Sequence, residues 1–362
     1  MMQNHYVRLS LASAAVFAGV LSVFWAMNRF LPDLTDPCWP RGDFDCHLSS
    51  ALETLHQRGA LEAQRTLRSL YEAGRMDQND CHKIAHAVGE AAFRAVGDIE
   101  EALRLATNAC SGGYYHGVMK GFFGDKIDHG VVGGEVESVC ASFGYHTNGA
   151  VSCFHGLGHA LMYATGNDLP SVLTACDLAA NNDGWRRSHC YDGAFMANAF
   201  SPFSGSIYGS ERPSKYLSED DLLYPCDAVA PPYRLICYFR HAPLRVLTLS
   251  SKRLLLGEIA THIPKEFATA FWFGIGRETD ILMRGNWERI VGFCAALPRA
   301  AREPCFGGAA LHMVAAASST AGRYTPPYAF CASLLNDADR AACRESLGLA
   351  LGYPANLASV RF

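Results

Sequence analysis

Three short phrases in the chain couple a cysteine to a histidine at nearly constant distance: Cys81-His82-Lys83-Ile84-Ala85-His86, Cys110-Ser111-Gly112-Gly113-Tyr114-Tyr115-His116 and Cys153-Phe154-His155-Gly156-Leu157-Gly158-His159. In each, a histidine follows five or six residues after the cysteine, about one and a half turns into a helix of roughly 3.6 residues per turn. His82 with His86, and His155 with His159, are also spaced i, i+4, which puts both rings of a pair on one helix face. Glu90 continues the first of these faces by another turn. Imidazoles joined by one carboxylate suit a transition metal, namely zinc, copper or iron. The first turn of a helix disfavours a protonated ring, and the neutral ring is the form that a metal or a general base requires. His82, His86, His116, His155 and His159 are therefore the candidate metal ligands. Glu90 and Asp192 are the candidate acid/base groups; Asp192, in Cys190-Tyr191-Asp192-Gly193, occupies the address that His155 holds one unit earlier and is equally a candidate fourth ligand. Lys120, Tyr114 and Tyr115 are candidate substrate contacts.

A single histidine in such a pattern is more often a packing residue whose ring nitrogens bond to backbone. The clustering of five between positions 82 and 159, against the sparse His189, His241, His262 and His312 that follow, favours a shared site. Other signals are absent: no Cys-x-x-Cys-His, no His-Glu-x-x-His and no Gly-x-Ser-x-Gly. Gly156-Leu157-Gly158 and Gly274-Ile275-Gly276 lack the third glycine of a dinucleotide fingerprint and are packing glycines.

The elements that would position these residues are helical and repeated. A first helix ends near a cysteine, as in Cys140-Ala141-Ser142-Phe143 or Cys331-Ala332-Ser333-Leu334. A connection follows, and a second helix opens at another cysteine, commonly with arginine three residues before it (Arg187, Arg234, Arg302, Arg340). Internal repetition of this kind predicts a stack of α-hairpins, each burying its apolar face on its neighbours. The second helix is rich in glycine and alanine and is the crowded inner one. His86, His116 and His159 then sit at equivalent places on inner helices whose axes lie about 8 to 10 Å apart. The repeated arginine is expected to cover carbonyls of the preceding hairpin. His262 to Gly276 reads as an inner helix without its cysteine, and 200–217 as a turn-rich loop.

The fourteen cysteines fall into neighbouring pairs: Cys38 with Cys46, Cys140 with Cys153, Cys176 with Cys190, Cys226 with Cys237, Cys294 with Cys305, and Cys331 with Cys343. Cys81 and Cys110 remain for each other. Disulfides persist in oxidising surroundings. Residues 9–27 are an apolar run long enough to span a bilayer, without a small-x-small cleavage site after it. The expected organisation is a short cytoplasmic tail (1–8), a transmembrane signal anchor (9–27), a linker (28–47) and an extracytoplasmic hairpin domain (48–362). Localisation follows: anchored in a membrane, with the bulk of the chain in the periplasm or outside the cell. The fold class is all-α, disulfide-stapled hairpins forming a curved solenoid or a closed α/α toroid. At 362 residues, 49% apolar and 18% charged, the chain has ample material for a core. A net charge of −4 without a basic run argues against nucleic acid as partner. Three functions fit: a metal-dependent enzyme, hydrolytic or oxidative, acting on a small molecule or peptide; a non-enzymatic scaffold that binds a periplasmic or membrane protein; or metal storage or delivery without catalysis.

Overall fold

In a computed structural model, 43–124, 138–144, 147–181, 183–201, 214–249, 255–283, 286–319, 327–334, 336–341, 343–344, Cys38 and Val136 are described. These residues are helical, with no strand among them. The expected tail and anchor, 1–27, and residues 202–213 of the loop 200–217 lie outside the described residues. No helix among the described residues is long and apolar enough to cross a membrane.

The chain divides into two units, 1–50 and 51–362. The first holds the Cys38–Cys46 disulfide and the start of helix α1 (Phe44–Arg58). That helix begins ahead of position 48 because Asp43 caps it, its Oδ1 accepting from the Cys46 amide at 2.7 Å. The pattern between Leu48 and Ala73 resolves into two helices. Gly59, at φ +85°, breaks the chain before α2 (Ala60–Glu72).

The hairpins follow. α3 (Gln78–Val96) starts at a capping Asp77 and stops at left-handed Gly97, the two ends favoured by cap chemistry. α4 (Ile99–Arg104) and a 3-10 turn (Ala109–Gly112) lead to α5 (Gly113–Gly124). Thr147 caps α6 (Asn148–Ala164). α7 (Leu169–Ala179) returns to α8 (Gly184–Phe200), capped by Asp183. α9 (Pro231–Ile236) passes through a π-helical segment (Cys237–His241) into α10 (Ala242–Leu249). α11 (Leu255–His262), α12 (Ala268–Leu282), α13 (Trp287–Ala295), α14 (Arg299–Ser319) and α15 (Pro327–Ser333) complete the described order.

All seven expected disulfides form, including Cys81–Cys110, and no cysteine is free. Many disulfides point to an oxidising, extracytoplasmic environment. The inner helix without a cysteine is α12. α3 packs on α5, α5 on α6, α6 on α8, α8 on the π segment, that segment on α12, and α12 on α14; α14 also touches the turn 109–112. These contacts are close because glycines face carbonyls in reciprocal pairs. A Cβ on Gly117 would run into the His86 carbonyl, and one on Gly89 into that of Tyr114. Gly158 and Gly193 repeat the arrangement between α6 and α8, against Cys190 and His155.

Three of the recurring arginines cover carbonyls as expected. Arg234 donates to Val229 O at 3.1 Å and Asp227 O at 3.0 Å, Arg302 to Leu297 O at 3.3 Å, and Arg340 to Leu334 O. Arg187 departs from the pattern and pairs with the Asp177 carboxylate at 3.7 Å, which also accepts from Tyr191 and Tyr233.

Candidate metal centre

The capped start of α3 puts His82 and His86 on successive turns of one buried face. The Cys81–Cys110 bond ties that helix to the turn ahead of α5. There the chain passes through left-handed conformations at Cys110 (φ 52°) and Ser111 (φ 54°). His82 Nδ1 lies 2.7 Å from the Cys110 carbonyl oxygen. A carbonyl can only accept, so Nδ1 carries the proton, and the neutral ring keeps a lone pair on Nε2. That lone pair faces His86 Nε2 at 3.2 Å, and His86 Nε2 is in turn 3.0 Å from His116 Nδ1. One nitrogen from each of the three rings lies within 4.8 Å of the others, a grouping that could hold a metal ion.

His155 and His159, from α6, meet at 3.0 Å through their Nε2 atoms. His155 Nδ1 donates to Asp192 Oδ2 at 2.9 Å, which again leaves its Nε2 lone pair turned toward the neighbouring ring. The His116 ring stands between the two pairs. Its centroid is 5.1 and 4.9 Å from those of His82 and His86, and 5.2 and 5.0 Å from those of His155 and His159.

Asp192 belongs to a buried network. Arg240 grips both of its oxygens and donates to Glu278 Oε1 at 2.7 Å. Arg277 Nη1 reaches Asp192 Oδ1 at 3.4 Å. Burial would raise the Asp192 pKa, but Arg240 and Arg277 outweigh it and hold the carboxyl well below its usual range. The histidines move the other way for the opposite reason. Burial lowers His82 to about 4, against the pull of the Cys110 carbonyl. His86, His116 and His159 fall well below 6.5 from burial and then from neighbouring rings. Burial also lowers His155, although Asp192 opposes it. The cluster is therefore a set of neutral imidazoles at ordinary pH, which is the ligand form.

Two of the three donor spacings match those around an ion. Two imidazole nitrogens, each about 2.0 to 2.1 Å from one tetrahedral metal, lie roughly 3.3 Å apart, and the contacts here are 3.0 and 3.2 Å. All five expected histidines are brought together, with Asp192 beside them. Glu90 lies apart from these contacts: its Oε1 accepts from Arg94 at 2.6 Å and its Oε2 pairs with Lys120 at 3.0 Å. Lys120 also stands over the Tyr163 ring. Tyr114 and Tyr115 are buried, the latter against Phe143.

Sequence reasoning missed Arg240, Arg277 and Glu278. The available signal was charge set inside helices otherwise built from small and apolar residues: Phe239-Arg240-His241 and Gly276-Arg277-Glu278. Compared with known proteins, the chain matches no family model, no curated protein and no solved structure.

Proposed function

We propose that the chain is an extracytoplasmic metal-binding protein, held at a membrane by residues 9–27, with an ion between His82 Nε2, His86 Nε2 and His116 Nδ1. The observation that carries this reading is the fixed tautomer of His82. Its inward lone pair, 3.2 Å from His86 Nε2, is repulsive unless a proton or a cation lies between them. A proton on His86 Nε2 can point well at one neighbour but not at both. Desolvation opposes the extra charge of an imidazolium, whereas a coordinated ion satisfies all three nitrogens at once.

Zinc, copper or iron suits this donor set, and the chemistry would be hydrolytic or oxidative. Asp192 is then a positioning group, because hydrogen bonds and ion pairs from His155, Arg240 and Arg277 occupy both of its oxygens. Glu90, one turn beyond His86, keeps the candidate acid/base role. The burial of His82 (9% exposed), His86 (4%), His116 (4%) and His159 (5%) favours a small molecule over a peptide as substrate. The same burial supports a second reading, in which the ion is structural and the helices form a scaffold for a periplasmic or membrane protein. The contact of α14 with the turn 109–112 favours the closed toroid over the open solenoid.

Elemental analysis of the purified full chain with its disulfides intact tests the proposal. Bound transition metal in the parent, lost in a still-helical His86→Ala/His116→Ala variant, is the expected result. A parent that retains no zinc, copper or iron after loading and desalting would overturn it. Screening small esters, phosphates and reducing substrates with the loaded protein separates the enzyme from the scaffold.

A further inference from the structure

We propose that the five histidines hold two ions rather than one, with His116 as the ligand shared between them; this rests on the metal-binding reading above. The two i, i+4 pairs are built alike. On α3 the Nε2 atoms of His82 and His86 are 3.2 Å apart, and on α6 those of His155 and His159 are 3.0 Å apart. In each pair one ring is held through Nδ1, His82 by the Cys110 carbonyl at 2.7 Å and His155 by Asp192 at 2.9 Å. Second partners of this kind fix the tautomer and aim the ligating nitrogen. The device occurs twice, once in each i, i+4 pair.

His116 lies on α5, which packs against both α3 and α6. Its Nδ1 is 3.0 Å from His86 Nε2. The other side of the ring faces α6, where a Cβ on Gly156 would stand 2.9 Å from His116 Cδ2. Nε2 is on that same side of the imidazole. One ring thus turns Nδ1 to the α3 pair and its Cδ2–Nε2 edge toward α6, at nearly equal centroid distances of 4.9 to 5.2 Å from all four partners. Occupying both positions requires His116 to release its remaining ring proton to solvent as the second nitrogen–metal bond forms. The positive charges nearest the α6 pair, Arg240 and Arg277, are partly offset by the carboxylates of Asp192 and Glu278.

Copper(II) is the probe, because a bridging imidazolate couples the spins of two such ions. Titration of the metal-free full chain, with its disulfides intact, should bind two equivalents that survive desalting. Its electron paramagnetic resonance signal should grow to the first equivalent and shrink with the second. His159→Gln should bind one equivalent and keep the full uncoupled signal, since the α3 pair and His116 Nδ1 are untouched. Where that variant is not helical by circular dichroism, the parent's stoichiometry and coupling decide alone. One equivalent in the parent, unchanged in His159→Gln, overturns the second position and leaves the single-ion reading standing. No bound copper overturns both. Two equivalents with additive, uncoupled signals overturn the shared ligand.

Discussion

His82 and His155 are aimed by the same device with different strengths. A neutral carbonyl holds the first, and a carboxylate that is itself gripped by two guanidiniums holds the second. The carboxylate makes its ring the more basic ligand, so the position it serves depends on Asp192. Asp192→Asn keeps the shape and removes the charge, and metal affinity should fall about 10- to 100-fold. The same change leaves Arg240, 1% exposed, facing Glu278 without its second counter-charge. Breaking a buried pair in this way costs about 3 to 5 kcal/mol. Metal competition with a chromophoric chelator, beside urea unfolding of the metal-free protein, reads the two effects separately. Unchanged affinity in the variant would mean that Asp192 serves only the ion-pair network. The address of this residue was legible in the sequence, because Asp192 replaces His155 in the Cys-aromatic-x-Gly phrase. Its partners were not, since Arg240 lies 48 residues away and no local spacing announces a contact of that range.

Among the elements, the glycines set how closely the histidine-bearing helices approach, and so the distances between rings. Gly117 follows His116 directly, and a methyl there would meet the His86 carbonyl; both neighbours are candidate ligands. Gly117→Ala should therefore lose its metal and be destabilised by about 1 to 3 kcal/mol, the range for overpacking a tight contact. Gly184→Ala has nothing within 4 Å of the added carbon and should stay within about 0.5 kcal/mol of the parent. Thermal unfolding and metal content of the two variants make the comparison. If Gly117→Ala kept both, helix spacing would not control the site. The hairpins, the cysteine pairs and the crowded inner helices were readable because each rests on short-range spacing: Cys294 and Cys305 are 11 residues apart. Arg187 was misread for the same reason. Its arginine address is that of the others, but it pairs with Asp177 in the neighbouring helix, whereas Arg234, Arg302 and Arg340 each donate to a backbone carbonyl.

Across the whole molecule, the buried histidines make folding depend on pH apart from any metal. His241 is wholly buried, with Nε2 2.9 Å from the Tyr224 carbonyl and Nδ1 3.5 Å from that of Phe195. Burial is the largest cause that lowers it to about 4, with Arg245 acting in the same direction and the two carbonyls opposing. His82, lowered to about 4 as well, adds to it. In the unfolded chain each titrates near 6.5, so below that pH the unfolded state takes up protons that the folded state refuses. Stability is then level above about pH 7 and falls as the pH drops through 6.5 toward 4. A lowering from 6.5 to about 4 corresponds to roughly 3 kcal/mol per histidine, comparable to one disulfide closing a loop of about a dozen residues. Urea midpoints of the metal-free, oxidised protein should therefore be clearly lower at pH 4.5 than at pH 7.5. His241→Asn should flatten part of that slope while leaving the metal content alone. A midpoint that rises on acidification would show that these rings are protonated in the fold, against the desolvation that burial imposes.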